Sequence, residues 1–320
     1  MYQIRSLSLP NDYARLADLY NARRLEPLTV ADLQDGDSKI PTPGPVRCDD
    51  QGRLVSHCRD RFVADDETGL MVGYADAWRA PWTPPGEIVI SFVIDPAHAG
   101  RGLEQLLLDR AEATAVTKGA AVIKAQVPEA DAETVTQRGY AIERHLFESS
   151  LDLASFDESR FPAAPEGIRF FTLADQPGEA TERQIYEVER VTHPDNPGTG
   201  GAELTFPFDH WRMWVLQSER ALPDCFILAA AEDGQVVGTT YMHRLENGAM
   251  HTLFTGVIPA YRGRGIALAL KLQALATARR HGAPYMRTDN DSQNGPMLAV
   301  NWKMGYKPLP GEYITVKKLK

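Results

Sequence analysis

Cysteine is scarce. The 320 residues hold three, Cys48, Cys58 and Cys225, far apart and in no zinc-ligand spacing. That excludes a disulfide framework and a structural zinc module, and it suits reduced thiols in a cytoplasmic protein. Long apolar runs are also missing. None approaches the ~18 residues of a membrane-spanning helix, and the opening MYQIRSLSLP has no apolar signal core. Net positive charge is missing too: the formal net charge is −9, which disfavours non-specific attraction to nucleic acid or anionic membrane. Neither is expected as a partner, and no metal is implied. There is no G-x-G-x-x-G dinucleotide fingerprint, because Leu268 stands three residues after Gly265. What remains is a globular composition, 43% hydrophobic and 24% charged, in a chain long enough for two domains.

Within that frame the chain is organised around Thr255 to Lys271, TGVIPAYRGRGIALALK. Residues 253–258 read as a strand. Pro259 turns the chain, Arg262-Gly263-Arg264-Gly265-Ile266-Ala267 follows, and residues 266–281 have a helical pattern. A helix N-terminus leaves about four backbone N–H groups unpaired and carries roughly half a positive charge. Glycines let the backbone close on a phosphate without Cβ obstruction. Strand, glycine-rich loop and helix therefore make an anion site. Arg262, Arg264, Lys271, Arg279 and Arg280 would give it local positive charge. Taken alone, a solvent-exposed basic turn is the open alternative.

Residues 2–9 alternate like a strand, and Asn11-Asp12 can cap a helix over 13–24. Residues 35–50 read as loop. Strands are expected at 58–64, 71–78, 87–94 and 121–127, helices at 103–118 and 130–138, and two further strands within 141–153. Residues 156–167, with Pro162 and Pro165, read as a linker. The order then starts again: strand 168–173, helices 180–191 and 208–219, strands 225–231 and 235–244, the organising stretch, strand 283–288, helix 294–304 and strand 313–318. Matching positions keep a near-constant spacing. Gly100-Arg101-Gly102 precedes Gly263-Arg264-Gly265 by 163 residues, Gly119 precedes Gly282 by 163, Val72-Gly73 precedes Val237-Gly238 by 165, and Gly139-Tyr140 precedes Gly305-Tyr306 by 166. This is an internal duplication: one domain over 1–155, a linker over 156–167 and a second domain over 168–320.

Arg262-x-x-Gly265-x-Ala267, after a strand ending in Val257, resembles the pyrophosphate-binding signature of the GNAT acyltransferase superfamily. The element order of both halves resembles a tandem member, similar in layout to mycothiol synthase. The resemblance implies an α/β (α+β) fold of two tandem GNAT-like domains. Each would be a mixed, mostly antiparallel sheet flanked by helices, with its fourth and fifth strands splayed so that acetyl-CoA inserts between them. Acetyl-CoA, the implied acyl donor, would be held by Val257, Ile258, Arg262, Gly263, Arg264, Gly265, Ile266 and Ala267, with Asn294 and Asn301 on the pantetheine arm. A backbone N–H near Val257 would polarise the carbonyl. The expected activity is N-acetylation of a small-molecule or peptide amine. A mycothiol-synthase-like acyltransferase and a non-catalytic CoA-sensing protein are the alternatives.

The first half departs from the signature, reading Ala99-x-x-Gly102-x-Glu104. A carboxylate there suits an empty helix dipole but repels a pyrophosphate, so the first domain is expected to be degenerate and the second catalytic. His251, six residues before Val257, stands near the place where such enzymes carry a carboxylate base. An imidazole of ordinary pKa, about 6.5, can take an ammonium proton. A structural histidine at a strand start is the plainer alternative, and His243 and Glu246 are fallback bases. The tyrosine acid common four residues before the glycine of Gly305-Tyr306 is here Asn301, whose amide can only hydrogen-bond. That leaves water, Tyr241 or Tyr306 to supply the proton. The first half has Val135 at the same place. Asn294 could instead be only a helix cap, ahead of Pro296 in the first turn. Residues 193–201 and the run from Phe206 to Trp211 stand where acceptors are recognised. Asp195 and Asp209 could draw a cation there, or the segment could be solvated loop and core aromatics.

Overall fold

A computed structural model describes residues 2–319 apart from residues 23, 25–26, 39–43, 81–82, 200, 202, 205–206 and 218–219. Phe206 thus lies outside the described residues. In chain order the elements are β1 (Gln3–Ser6), α1 (Tyr13–Asn21), α2 (Val30–Ser38), β2 (Cys58–Asp65), β3 (Met71–Arg79), β4 (Glu87–Ile94), α3 (Leu103–Thr117), β5 (Val122–Pro128), α4 (Ala132–Thr136) and β6 (Ala141–Asp152). There follow β7 (Arg169–Thr172), α5 (Glu179–Thr192), α6 (Phe208–Val215), β8 (Ala221–Ala230), β9 (Val236–Arg244), β10 (Met250–Val257), α7 (Ile266–Arg280), β11 (Tyr285–Asp291), α8 (Gly295–Met304) and β12 (Lys307–Lys318). Among the described residues no helix is long and apolar enough to cross a membrane.

The chain divides into two compact units, Met1–His145 with Glu312–Lys320, and Leu146–Gly311. The break read from proline content at 156–167 is displaced. Phe156 and Phe161 stack with ring centroids 5.2 Å apart and pack on the second unit's core, and Arg279 donates to the carbonyls of Leu153 and Phe156. Two aromatic anchors outweigh the loop-like composition. The last residues also change sides, since 312–318 pair antiparallel with β5 of the first unit.

In the first unit β1 to β4 are antiparallel neighbours and β4 runs parallel to β5. Its core of Ile88, Ile90, Leu103, Leu107, Ile123 and their neighbours packs α3 on the sheet, each such side chain contributing roughly 1.5–3 kcal/mol. Three details differ from expectation. Residues 141–152 form one strand, not two. The helix α2 occupies part of the expected loop and buries no residue. It is held by Asp37, which accepts from Arg59 at 2.6 Å and from Arg61 and Tyr13 at 2.7 Å, long-range bonds that leave no local pattern. Asp12 makes no capping bond; its carboxylate accepts from Arg5 and the Ser8 amide instead.

The second unit repeats the plan with β7, β8, β9 and β10 antiparallel, β10 parallel to β11, and β11 antiparallel to residues 146–152. Side chains alternate across the sheet. Phe226 and Leu228 of β8 face α5 and α6 with Ile185, Val188 and Trp211, while Ile227 and Ala229 face α7 with Leu270 and Ala274. The parallel contact is brief. Met250, His251 and Thr252 pair with Met286, Arg287 and Thr288, and no further. A bulge between Thr252 and Phe254 bends β10, which continues to Val257 beside β9 alone. In the first unit the corresponding contact runs over five residues, Glu87 to Ser91.

Candidate active site

The glycine loop follows the free end of β10. Gly263 and Gly265 take φ of 74° and 80°, the left-handed region that only glycine enters without strain. A Cβ at Gly263 would meet nothing within 4 Å, so backbone conformation and not space calls for glycine there. Gly265 starts α7 with no side-chain cap, which leaves the first-turn amides available to an anion. Arg262 donates from Nε to the Val257 carbonyl at 2.9 Å and from Nη2 to Asp195 at 2.5 Å. Arg264 lies over the Tyr261 ring, 4.8 Å from its centroid. Ile258 donates its amide to the Val237 carbonyl and so serves the sheet, while the Ile266 side chain is core and only its backbone amide, in the first turn of α7, belongs to the loop. The basic cluster read from the sequence also shrinks. Arg279 is bound to Leu153, Phe156 and Glu158, and Lys271 is 1% exposed. Five residues beyond Ile266, it falls on the buried side of α7.

The first unit has the same loop with the opposite filling. Gly100 and Gly102 take φ of 72° and 81°. Glu104, 7% exposed, turns its carboxylate back to accept from the Gly100 amide at 2.7 Å. The chain's own anion thus occupies a donor that a phosphate would need. The counterpart of Glu104 in the second unit is Ala267.

On the α5 side of the sheet, His251 Nε2 lies 3.0 Å from Asp289 Oδ2. Asp289 stands two residues past Arg287, the parallel partner of His251, and sequence reasoning missed it because only the register joins them. The acidic run Asp289-Asn290-Asp291 was the available signal. His243 pairs with His251 across β9 and β10, rings 5.5 Å apart. Burial, and then the charge of His251, push its pKa down to about 4, so it stays neutral near pH 7. Glu246 is a surface group 3.6 Å from Arg220. A second carboxylate, Glu189 of α5, accepts from Trp211 Nε1 and the Tyr241 hydroxyl, each at 2.8 Å, and burial raises its pKa. Tyr241 is stacked between Phe226 and Phe254. Its proton is directed at Glu189, and burial raises its pKa well above the ordinary range. Asp195 is engaged by Arg262, Asp209 lies in the first turn of α6, and Phe208 and Trp211 are core.

Asn294 caps α8, accepting from the Met297 amide at 3.3 Å. Asn301 is 0% exposed, and its Nδ2 donates to Asn290 at 2.8 Å. Asn290 in turn donates to Ser149 at 2.9 Å. Asn301 therefore sits inside a buried polar layer between α8 and β11 and lines no open surface. At the far end of α7, His281 lies 2.6 Å from Asp224 and 3.9 Å from the Cys225 sulfur. These three side chains have metal-ligand types, with the ligand atoms within 4.8 Å of one another, and burial pushes the thiol up to about 12.

Two stretches, residues 18–138 and 183–306, match the model of the acetyltransferase (GNAT) family. The chain is similar to the mycothiol acetyltransferase of Saccharomonospora viridis, 26% identical over 302 residues, 88% of this chain and 89% of that one. Among solved structures it is similar in fold to a GCN5-related N-acetyltransferase from Sphaerobacter thermophilus. That likeness has 20% identity and a TM-score of 0.70, over 99% of this chain and 95% of the other. A tandem GNAT protein from the clavulanic acid biosynthesis pathway matches at 18% identity and a TM-score of 0.67, over 99% and 98%.

Proposed function

The chain belongs to the acetyltransferase (GNAT) family, and from that premise we propose that its second unit carries acetyl from acetyl-CoA to the amine of a small molecule or peptide. One observation carries the reading: the uncapped glycine loop opens α7 at the point where β10 has left β11. The fit to the donor rests on that uncapped loop and on buried oxygens nearby, Thr252 Oγ1 and Asn301 Oδ1, that make no hydrogen bond within the protein.

The amides from Gly263 to Ala267, with the guanidinium groups of Arg262 and Arg264, hold the pyrophosphate. The parted strands admit the pantetheine arm. Asn294 and Asn301 position α8 and β11 beside it and do not touch the reacting atoms. Acetyl-CoA supplies the activated carbonyl. His251 removes the proton from the acceptor's ammonium, and Asp289 fixes the imidazole through Nε2. The neutral amine then attacks. Thiol release from acetyl-CoA in the presence of a panel of amino acids, aminosugars, polyamines and peptides tests this. At least one class should release thiol above the amine-free rate, and His251→Ala should lower that rate by about 100-fold. CoA binding with no release from any amine would contradict it.

A second reading has its own support. The likeness to the Saccharomonospora viridis protein spans nearly the whole chain, which favours an acceptor of the kind a mycothiol acetyltransferase takes. Including that acceptor in the panel separates the two.

A further inference from the structure

In the first unit Ile90, Leu108, Ala125 and Val135 belong to one buried apolar cluster with Tyr140. The repeat spacing gives the counterparts of Leu108, Ala125 and Val135 in the second unit. The parallel register gives that of Ile90, since Ile90 stands opposite Ala125 and Thr252 opposite Thr288, with the bulge after Thr252 accounting for the one-residue difference in spacing. These counterparts are Thr252, Lys271, Thr288 and Asn301, beside Tyr306. All are buried. The same layer of the same fold is apolar in one unit and polar in the other.

Stability does not explain the exchange. A buried amine loses its hydration and regains it only through a partner, and Leu108 shows that the fold accepts an apolar side chain at this position. Among the described residues Lys271 meets no carboxylate; its Nζ lies 5.1 Å from the centre of the Tyr306 ring. Burial alone acts on the amine and pushes its pKa down to about 7. Tyr306, the titratable group beside it, is raised by burial. Thr252 holds that rise back slightly, yet neither hydroxyl completes a hydrogen bond, and neither does Asn301 Oδ1. Buried oxygens of this kind call for an explanation in any native fold. Thr252 and Thr288 are the last paired residues before β10 and β11 separate, so the layer lies under the vertex of the cleft.

Resting on the acetyltransferase reading above, we propose that Lys271 is the acid of the transfer, giving a proton from its ammonium to the thiolate as it leaves. The acceptor nitrogen bonds to the acetyl carbon. The carbon–sulfur bond breaks with its electron pair on sulfur, and an Nζ proton passes to that sulfur. The acceptor's ammonium loses one proton to His251 before attack, and the second, freed from nitrogen as the amide forms, passes to solvent, from which the neutral lysine regains a proton. Asn301 has no such proton to give, and Tyr306 holds its own too firmly. An acid whose pKa is near the working pH and below that of a thiol, about 8.5, is suited to the step.

The test titrates the full chain with CoA and follows ionisation of the bound thiol by thiolate absorbance, for wild type and Lys271→Leu. The leucine copies position 108, and Lys271→Met serves if it fails to fold. With the lysine itself titrating near 7, a minor part of the thiolate absorbance should appear near pH 7 in wild type, from the ammonium–thiolate pair, ahead of the main ionisation, whereas in the variant the thiol should ionise in a single later step. The wild-type kcat should fall as pH rises past about 7, and the variant should lose that limb while its affinity for CoA is kept. Identical thiol ionisation in the two proteins overturns the proposal and leaves the acetyltransferase reading standing. No CoA binding by wild type removes both.

Discussion

The two units carry the same glycine loop on the same helix, and they fill it differently. Gly102 and Gly265 each open a helix with no side-chain cap, but in the first unit Glu104 accepts from the Gly100 amide, where the second has Ala267. The parallel strands stay paired over five residues in the first unit and over three in the second. The layer beneath is apolar in one and polar in the other. Loop, cleft and layer differ together while the scaffold does not. The fold alone thus needs neither the second unit's parted strands nor its buried lysine.

Moving one residue across should break the comparison most strongly. Ala267→Glu puts the first unit's carboxylate into the second unit's loop. A carboxylate about 4 Å from a phosphate charge costs about 4 kcal/mol at an effective dielectric of 20, so acetyl-CoA affinity by calorimetry should fall about 1000-fold.

Lys271→Leu should come next, in stability. Replacing a buried charge by an apolar side chain of similar size is often neutral or stabilising, by roughly 1–4 kcal/mol. Folding favours the neutral amine, because Lys271 is lowered to about 7 from an ordinary 10.5. Between those values the unfolded chain binds the proton and the folded chain does not, so wild-type stability should rise with pH across that window. Denaturant titrations at pH 7 and pH 10 should show that rise in wild type and lose this contribution in the variant.

Asp289→Asn should lower kcat about tenfold by letting the His251 ring turn, with acetyl-CoA affinity unchanged. The smallest effect is expected of Asp195→Ala. Its ion pair with Arg262 is half exposed, 43% and 52%, and such pairs contribute about 0–1 kcal/mol. Freeing the guanidinium should tighten acetyl-CoA binding by a few-fold at most, with no loss of stability.

The loop and the duplication were legible because each is local. Glycines at fixed spacing before a helical pattern state the backbone conformation outright, and the repeat offsets state the rest. Asp289 was hidden because a parallel register joins residues that lie 38 positions apart. Lys271 was misread as part of the basic loop, since charge in a sequence does not tell which side of α7 it faces. Glu104 was recognised as a misfit, but only the structure shows it holding the Gly100 amide. The unit boundary failed because two stacked phenylalanines, not prolines, decide where residues 156–167 rest.

Equilibrium titration of the intact chain with acetyl-CoA tests the asymmetry most directly. One molecule per chain is expected, unchanged in number by Glu104→Ala, because Ala99 still leaves the first loop without its arginine. Two molecules per chain, or binding that survives Ala267→Glu, would contradict it.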